Sequence, residues 1–278
     1  MFNKTVIIGV GLLGSSIGMN LISKKLSQEV IGVGRDIRNL KTAQRRKAIH
    51  RYLNVGAIHE LPLRDLTYND LVILAAPVSA IKNYLKEIPN DVLITDVGSV
   101  KESILKEAER LKKRFVGSHP ISGTEKTGAQ SGDVDLFQDR SCIVTPSKYS
   151  KSSDVAKIKK LWAQLGSRVS VMSASEHDRL FAYTSHLPHA VAYSLIQSTI
   201  LKTSQKHFVF SSFRDATRVA ASSPEMWRDI FLENSGEITH AIAAFQKQLD
   251  HLISLMKKKD TTSLMKFLKK GQEIRQKL

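Results

Sequence analysis

The chain has 278 residues, with 42% hydrophobic and 6% aromatic content and a formal charge of +16. Single cores usually stop growing near ~250 residues, so two domains are expected, and the composition excludes a disordered or collagen-like chain. One cysteine, Cys142, excludes an internal disulfide and fits a reducing, cytoplasmic compartment, while the charge admits anionic partners without choosing among them.

In chain order, Thr5 to Ile8 form a short apolar strand, and Gly9, Gly11 and Gly14 follow in G-x-G-x-x-G spacing before the helical periodicity of Ile17 and Leu21. In that setting the glycines make a tight turn, let the backbone approach a pyrophosphate and let the helix pack on the strand. The backbone at Gly11, Leu12, Leu13 and Gly14, with the helix dipole, would hold the phosphates. The same glycines break the apolar run from Met1 to Met19, so neither a signal peptide nor a membrane span is expected.

A second strand, Val30 to Val33, ends at Gly34-Arg35-Asp36. An acidic residue at the end of this strand would receive the ribose hydroxyls of NAD. Glycine there, followed by Arg35, Arg38 and Lys41, favours the extra phosphate of NADP. NAD stays open, because Asp36 is close enough to take the acidic role.

Further strands are expected at Leu71–Ala75, Val92–Thr95, Phe115–Gly117, Cys142–Thr145 and Val169–Met172, alternating with helices such as Ser99 to Lys113. This is the pattern of an α/β, Rossmann-like, doubly wound sheet over residues 1–173. Its strand ends open on one crevice, which adds Ala76 and Pro77 to the cofactor set and lets Ser99 and His119 meet one substrate. Ser99 has a second reading, since with Glu102 it forms a capping box.

After Ser173 the strand signals stop and helical spacing takes over at Ala190–Leu201, Ile230–Leu255 and Ser263–Ile274. Residues 174–278 are expected to be an all-α domain for substrate binding and dimerisation. Ile238, Ile242, Phe245, Leu249, Leu252 and Leu255 recur at near-heptad spacing, with more apolar surface than two or three helices hide, so a homodimer is expected. The basic C-terminal stretch has Phe267 as its one interleaved aromatic and reads as a solvated face, so no nucleic-acid or membrane partner is expected. His186 and His189 would need His177 or Asp178 to complete a zinc site, in no recognised spacing, so no metal is assigned.

Four runs carry a more specific resemblance: Asp96-Val97-Gly98-Ser99-Val100-Lys101; Gly117-Ser118-His119-Pro120-Ile121-Ser122-Gly123-Thr124-Glu125; Ser185-His186-Leu187-Pro188-His189; and Phe213-Arg214-Asp215-Ala216-Thr217-Arg218-Val219-Ala220. In this order they resemble motifs of the prephenate/arogenate dehydrogenases, and the resemblance spans essentially the whole chain. It implies oxidative decarboxylation with NAD(P)+ in tyrosine biosynthesis: prephenate to 4-hydroxyphenylpyruvate, or arogenate to tyrosine.

The resemblance implies that His119 accepts the proton of the ring hydroxyl, with an ionisation near the ordinary ~6.5. Ser99 would steady that hydroxyl, and Arg218 would hold a substrate carboxylate in its guanidinium fork. An i,i+3 pair with Asp215 is the structural alternative for Arg218. Asp215 would orient Arg218, Trp227 would wall the pocket, His189 would lie near the substrate side chain, and Thr124 and Glu125 would line the rim. A cationic His189 would suit the keto group of prephenate. Two rivals stay open: a β-hydroxyacid type of dehydrogenase, which would carry a catalytic lysine in its helical domain, and a dinucleotide-sensing or nucleic-acid-binding protein, which would bind DNA in a salt-dependent way without turnover.

Overall fold

The computed structural model describes residues 1–55, 63, 65–123, 126–199 and 210–277. Five parallel strands, β1 (Phe2–Ile8), β2 (Ser27–Gly34), β3 (Arg51–Asn54), β4 (Leu71–Leu74) and β5 (Leu93–Asp96), pair in the order β3-β2-β1-β4-β5. A parallel bridge between Ile94 and Phe115 continues this sheet into β6 (Val116–Pro120). Beyond it, β7 (Ser141–Pro146) runs antiparallel to β6, and β8 (Arg168–Val171) runs parallel to β7. The chain first builds outward from β1 to one side and then from β4 to the other, so the strand order reverses between β1 and β4. Crevices for ligands open at the carboxyl ends of strands at such a reversal.

Side chains alternate across the strands and are buried on both faces. Ile7, Val30, Ile73 and Leu93 pack with Ile17 and Leu21 of α1 (Leu12–Ser23), Leu40 of α2 (Ile37–Arg45) and Trp162 of α5 (Ser152–Gln164). Val6, Ile8, Ile31, Val33, Val72 and Ile94 pack the opposite way, with Ile81 and Leu85 of α3 (Val78–Glu87) and Ile104 of α4 (Glu102–Arg110). That two-sided burial is what a parallel sheet requires. β3 was not among the expected strands, because a four-residue edge strand that is only half-buried carries little periodicity.

After β8 every described element is helical: α6 (Ala174–Phe181), a π-helical turn (Ala182–His186), α7 (Leu187–Ser198), α8 (Ser211–Thr217), a 3-10 turn (Arg218–Ala221), α9 (Pro224–Glu233), α10 (Ser235–Lys258) and α11 (Thr261–Gln276). Ser173 opens α6 with a capping box to Glu176. The single helix expected over Ile230–Leu255 is two helices, broken at Asn234. The buried amide of Asn234 reaches the Asp178 carbonyl at 2.9 Å and the His186 ring at 3.2 Å.

A third core joins Val100, Ala182, Trp227, Ile230, Ile238 and Ala241, so the loop after β5 is plugged into the helices. Ser79 on α3 bonds Asp229 on α9 at 2.5 Å, and Lys82 pairs with Glu233. These contacts seat the helices over the carboxyl edge of the sheet. Among the described residues no helix is long and apolar enough to cross a membrane.

Candidate active site

Gly9 and Gly14 are required by the protein itself. Gly9 has φ +96°, and a Cβ there would lie 2.3 Å from the Ala75 carbonyl oxygen; at Gly14 a Cβ would lie 2.1 Å from the Gly9 oxygen. Gly11 is different, because a Cβ there meets no atom within 4 Å. Protein packing therefore leaves an open space above Gly11, at the start of α1, where no side chain caps the helix and Leu12 and Leu13 are half-exposed. A dinucleotide pyrophosphate fits this cradle of free amides. Ala76 and Pro77 lie beside it, exposed or half-exposed at the end of β4.

At the end of β2, the Asp36 carboxylate caps α2 by accepting from the Arg38 amide at 2.9 Å, which holds its pKa below the usual range. That cap engages one oxygen of an exposed carboxylate. The Arg35 side chain is exposed and makes no hydrogen bond or ion pair with another described residue, so its guanidinium is free for a ligand. Asn54 holds the turn by donating to the Gly34 and Arg35 carbonyls at 3.2 and 2.9 Å.

His119 stands on β6 with only 8% of its surface exposed. Its Nδ1 lies 2.8 Å from Nε2 of His177, whose Nδ1 lies 2.7 Å from Asp178 Oδ1. Phe181 packs on both rings, with centroid distances of 4.9 Å to His119 and 4.5 Å to His177. Burial pushes the His119 pKa well below its ordinary value, and His177, the Lys101 ammonium and His186 push it further down. Its ionisation therefore lies below the ~6.5 expected from an unperturbed side chain.

Beneath His119, buried Lys101 pairs with Asp96 and donates to the Ser118 carbonyl at 2.8 Å. Asp96 also accepts from the amides of Gly98 at 2.9 Å and Ser118 at 3.1 Å, so the pair fixes the loop carrying Ser99 to the strand carrying His119. The capping box proposed for Ser99 and Glu102 does not form. Asp178 caps α4 instead, accepting from the Lys101 and Glu102 amides at 2.8 and 2.9 Å, while Glu102 pairs with Lys106. The Ser99 hydroxyl, half-buried, is left without a partner among the described residues.

On the helical side, His189 stacks on Trp227 with ring centroids 3.6 Å apart, and its Nδ1 bonds the Ser185 carbonyl at 2.9 Å. Burial lowers its pKa more than that carbonyl raises it, and the nearby Arg218 charge lowers it too. His189 is therefore neutral, which withdraws the argument for prephenate based on a cation. Trp227 is 5% exposed and forms the wall behind His189. Arg218 and Asp215 are both exposed and form no ion pair, so neither the structural alternative for Arg218 nor its orientation by Asp215 is found. Thr124 and Glu125 lie outside the described residues. His186 is buried with its pKa pushed down to about 4, chiefly by burial. Its Nδ1 faces Asn234 while that of His189 faces Ser185, so their contacts diverge. Among the described residues no group of three or more potential metal ligands converges.

Residues 18–171 match the family described as the nucleotide-binding domain of prephenate dehydrogenase, and residues 173–270 match its dimerization domain. The chain belongs to the prephenate dehydrogenase family. A cyclohexadienyl dehydrogenase from Zymomonas mobilis is 34% identical, over 99% of this chain and 96% of that protein. A prephenate dehydrogenase from Bacillus subtilis is 30% identical, over 99% of this chain and 76% of its own length. The crystal structure of prephenate dehydrogenase from A. aeolicus in complex with hydroxyphenyl propionate and NAD+ superimposes with a TM-score of 0.90 at 31% identity, covering 100% of this chain and 98% of that one.

Within this member of the family, sequence reading missed the parts played by His177, Asp178, Lys101 and Asp96. His177 and Asp178 drew notice only as conceivable zinc ligands. The adjacent His-Asp pair just after a capping serine was a signal, but nothing local ties it to a strand 58 residues earlier.

Proposed function

We propose that this protein is a prephenate dehydrogenase, converting prephenate to 4-hydroxyphenylpyruvate and CO2 with NAD(P)+. The observation that carries this reading is His119, a histidine kept neutral by burial at the sheet edge where a dinucleotide site opens. When bound, NAD(P)+ would supply the acceptor for a hydride leaving the carbinol carbon. His119 accepts the hydroxyl proton, and the O–H bonding pair becomes the second bond of a carbonyl. Breaking the bond to the ring carboxylate releases CO2, and its electron pair enters the ring. The carbonyl becomes phenolate, to which His119 returns the proton. Ser99 steadies the reacting oxygen, and Arg218 holds a substrate carboxylate bidentately.

A second reading, arogenate as substrate, is favoured by one observation. Because the Nδ1–H of His189 donates to Ser185, its Nε2 is an acceptor, which suits an ammonium better than a ketone. Turnover assays of both substrates with NAD+ and with NADP+ decide the matter. Absence of activity in all four would remove the dehydrogenase reading.

For the cofactor we favour NADP, on the free Arg35 and the absence of a carboxylate at Gly34. Arg35→Ala is expected to weaken NADP+ roughly tenfold or more, the worth of a charge-assisted contact, and NAD+ little. Equal effects in cofactor titrations would remove the preference.

We further propose a boundary at residues 173/174, where the strands give way to helices, and a homodimer through the helical part. Ile242, Leu249, Ile253 and Met256 on α10 and Met265, Leu268 and Ile274 on α11 stay exposed, a stripe of apolar surface that monomers rarely present. Light scattering is expected to give twice the chain mass, and paired Leu249→Asp and Ile253→Asp substitutions the single mass. A monomeric wild type would overturn the proposal. The lone cysteine, buried in β7 with its thiol pKa pushed up by burial, supports a cytoplasmic location.

A further inference from the structure

We propose that His177 is a positioning residue that selects the tautomer of His119, keeping the proton on Nδ1 and the basic lone pair on Nε2. This rests on the reading of His119 as the general base and adds what makes one of its two nitrogens the base.

The direction of the relay follows from its far end. Asp178 accepts from the Lys101 amide and the His177 ring on Oδ1 and from the Glu102 amide on Oδ2, three donors at 2.7–2.9 Å. Backbone amides can only donate, so both oxygens of Asp178 act as acceptors at the amino end of α4. Oδ1, already accepting from the Lys101 amide, accepts from the ring as well, so the Nδ1 of His177 donates.

Burial keeps His177 neutral against the pull of Asp178, so its Nε2 carries a lone pair. At 2.8 Å that lone pair must receive a hydrogen, and only Nδ1–H of His119 can supply it. A free histidine side chain favours the opposite tautomer, with the proton on Nε2, which would leave the exposed nitrogen unable to take a proton. Fixing the tautomer through an engaged second nitrogen is the general way histidine chemistry is aimed. The relay also spans the two halves of the chain, since His119 lies on β6 and His177 on α6.

Packing and tautomer control make opposite predictions for two variants. His177→Phe preserves the aromatic stack on Phe181 but offers no acceptor, whereas His177→Gln abandons the stack and brings a carbonyl oxygen to about the reach of Nε2. If tautomer control matters, the Phe variant loses ~10²–10³-fold in kcat, as wrong-tautomer and lost-base enzymes do, with KM changed less than about threefold. The Gln variant then retains at least roughly ten times more activity than the Phe variant. If His177 only packs, the order reverses.

Nitrogen-15 NMR of the His119 ring is independent of turnover. The wild type is expected to carry its proton on Nδ1, and the Phe variant to move it to Nε2. A wild-type Nε2–H tautomer, or a Phe variant more active than the Gln variant, overturns the proposal. Wild-type protein inactive on both cyclohexadienols would overturn the substrate reading instead, and the NMR tautomer would still decide this one.

Discussion

His119→Asn is expected to lower kcat by ~10²–10⁴-fold, the span attributed to a positioned general base, with the fold and cofactor binding intact. Asparagine has similar reach and its amide can still donate to His177 Nε2, so the buried contact survives while the proton acceptor is lost. The pH profile supplies the sharper check. The neutral form of His119 is the active one, and burial has moved its pKa below the ordinary ~6.5, so wild-type kcat/KM should be flat through neutral pH. Activity should fall only as acidity increases through the lowered pKa and the ring becomes cationic. A variant with near wild-type turnover, or with the same acid limb, would assign the proton transfer to another group.

Arg218→Lys should raise the substrate KM by about tenfold or more, because a point charge cannot reproduce two parallel N–H···O bonds worth ~1.5–3 kcal/mol together. The structure strengthens this expectation by leaving Arg218 with no partner: it is exposed, unpaired with Asp215, and close enough to His189 to depress that pKa. No ion pair has to be broken for it to meet a carboxylate. Cofactor affinity should change little, since Arg218 follows α8 in the helical part while the glycine turn lies between β1 and α1. An unchanged KM would move Arg218 out of the substrate site.

The sequence by itself determined what rests on short-range chemistry. The glycine turn was legible from its spacing after a strand, where Gly9 turns the chain at φ +96°, Gly14 packs on the Gly9 carbonyl and Gly11 leaves the ligand space beside them. Strands buried on both faces announced themselves as β-branched runs, and the polar residues at their carboxyl ends, Ser99 and His119, could be assigned to one crevice from strand direction alone. The helical half was legible from periodicity.

Only the tertiary structure decided which of several local possibilities each polar group realises. Ser99 was free to cap its own helix, yet Asp178, 76 and 77 residues away from the amides it accepts, takes that place and releases the hydroxyl. Asp36 caps α2 through one carboxylate oxygen. Helical spacing ran unbroken through Asn234, yet one helix ends and another starts there, with its amide in two buried hydrogen bonds. The pKa of His119 was set by burial and by the Lys101 ammonium under it, and the relay from His119 to His177 and Asp178 joins β6 to α6. Sequence spacing reports on neighbours within a turn or a strand; desolvation and contacts between distant segments exist only once the chain has closed on itself, and those two effects decide which nitrogen, which hydroxyl and which carboxylate remain available for chemistry.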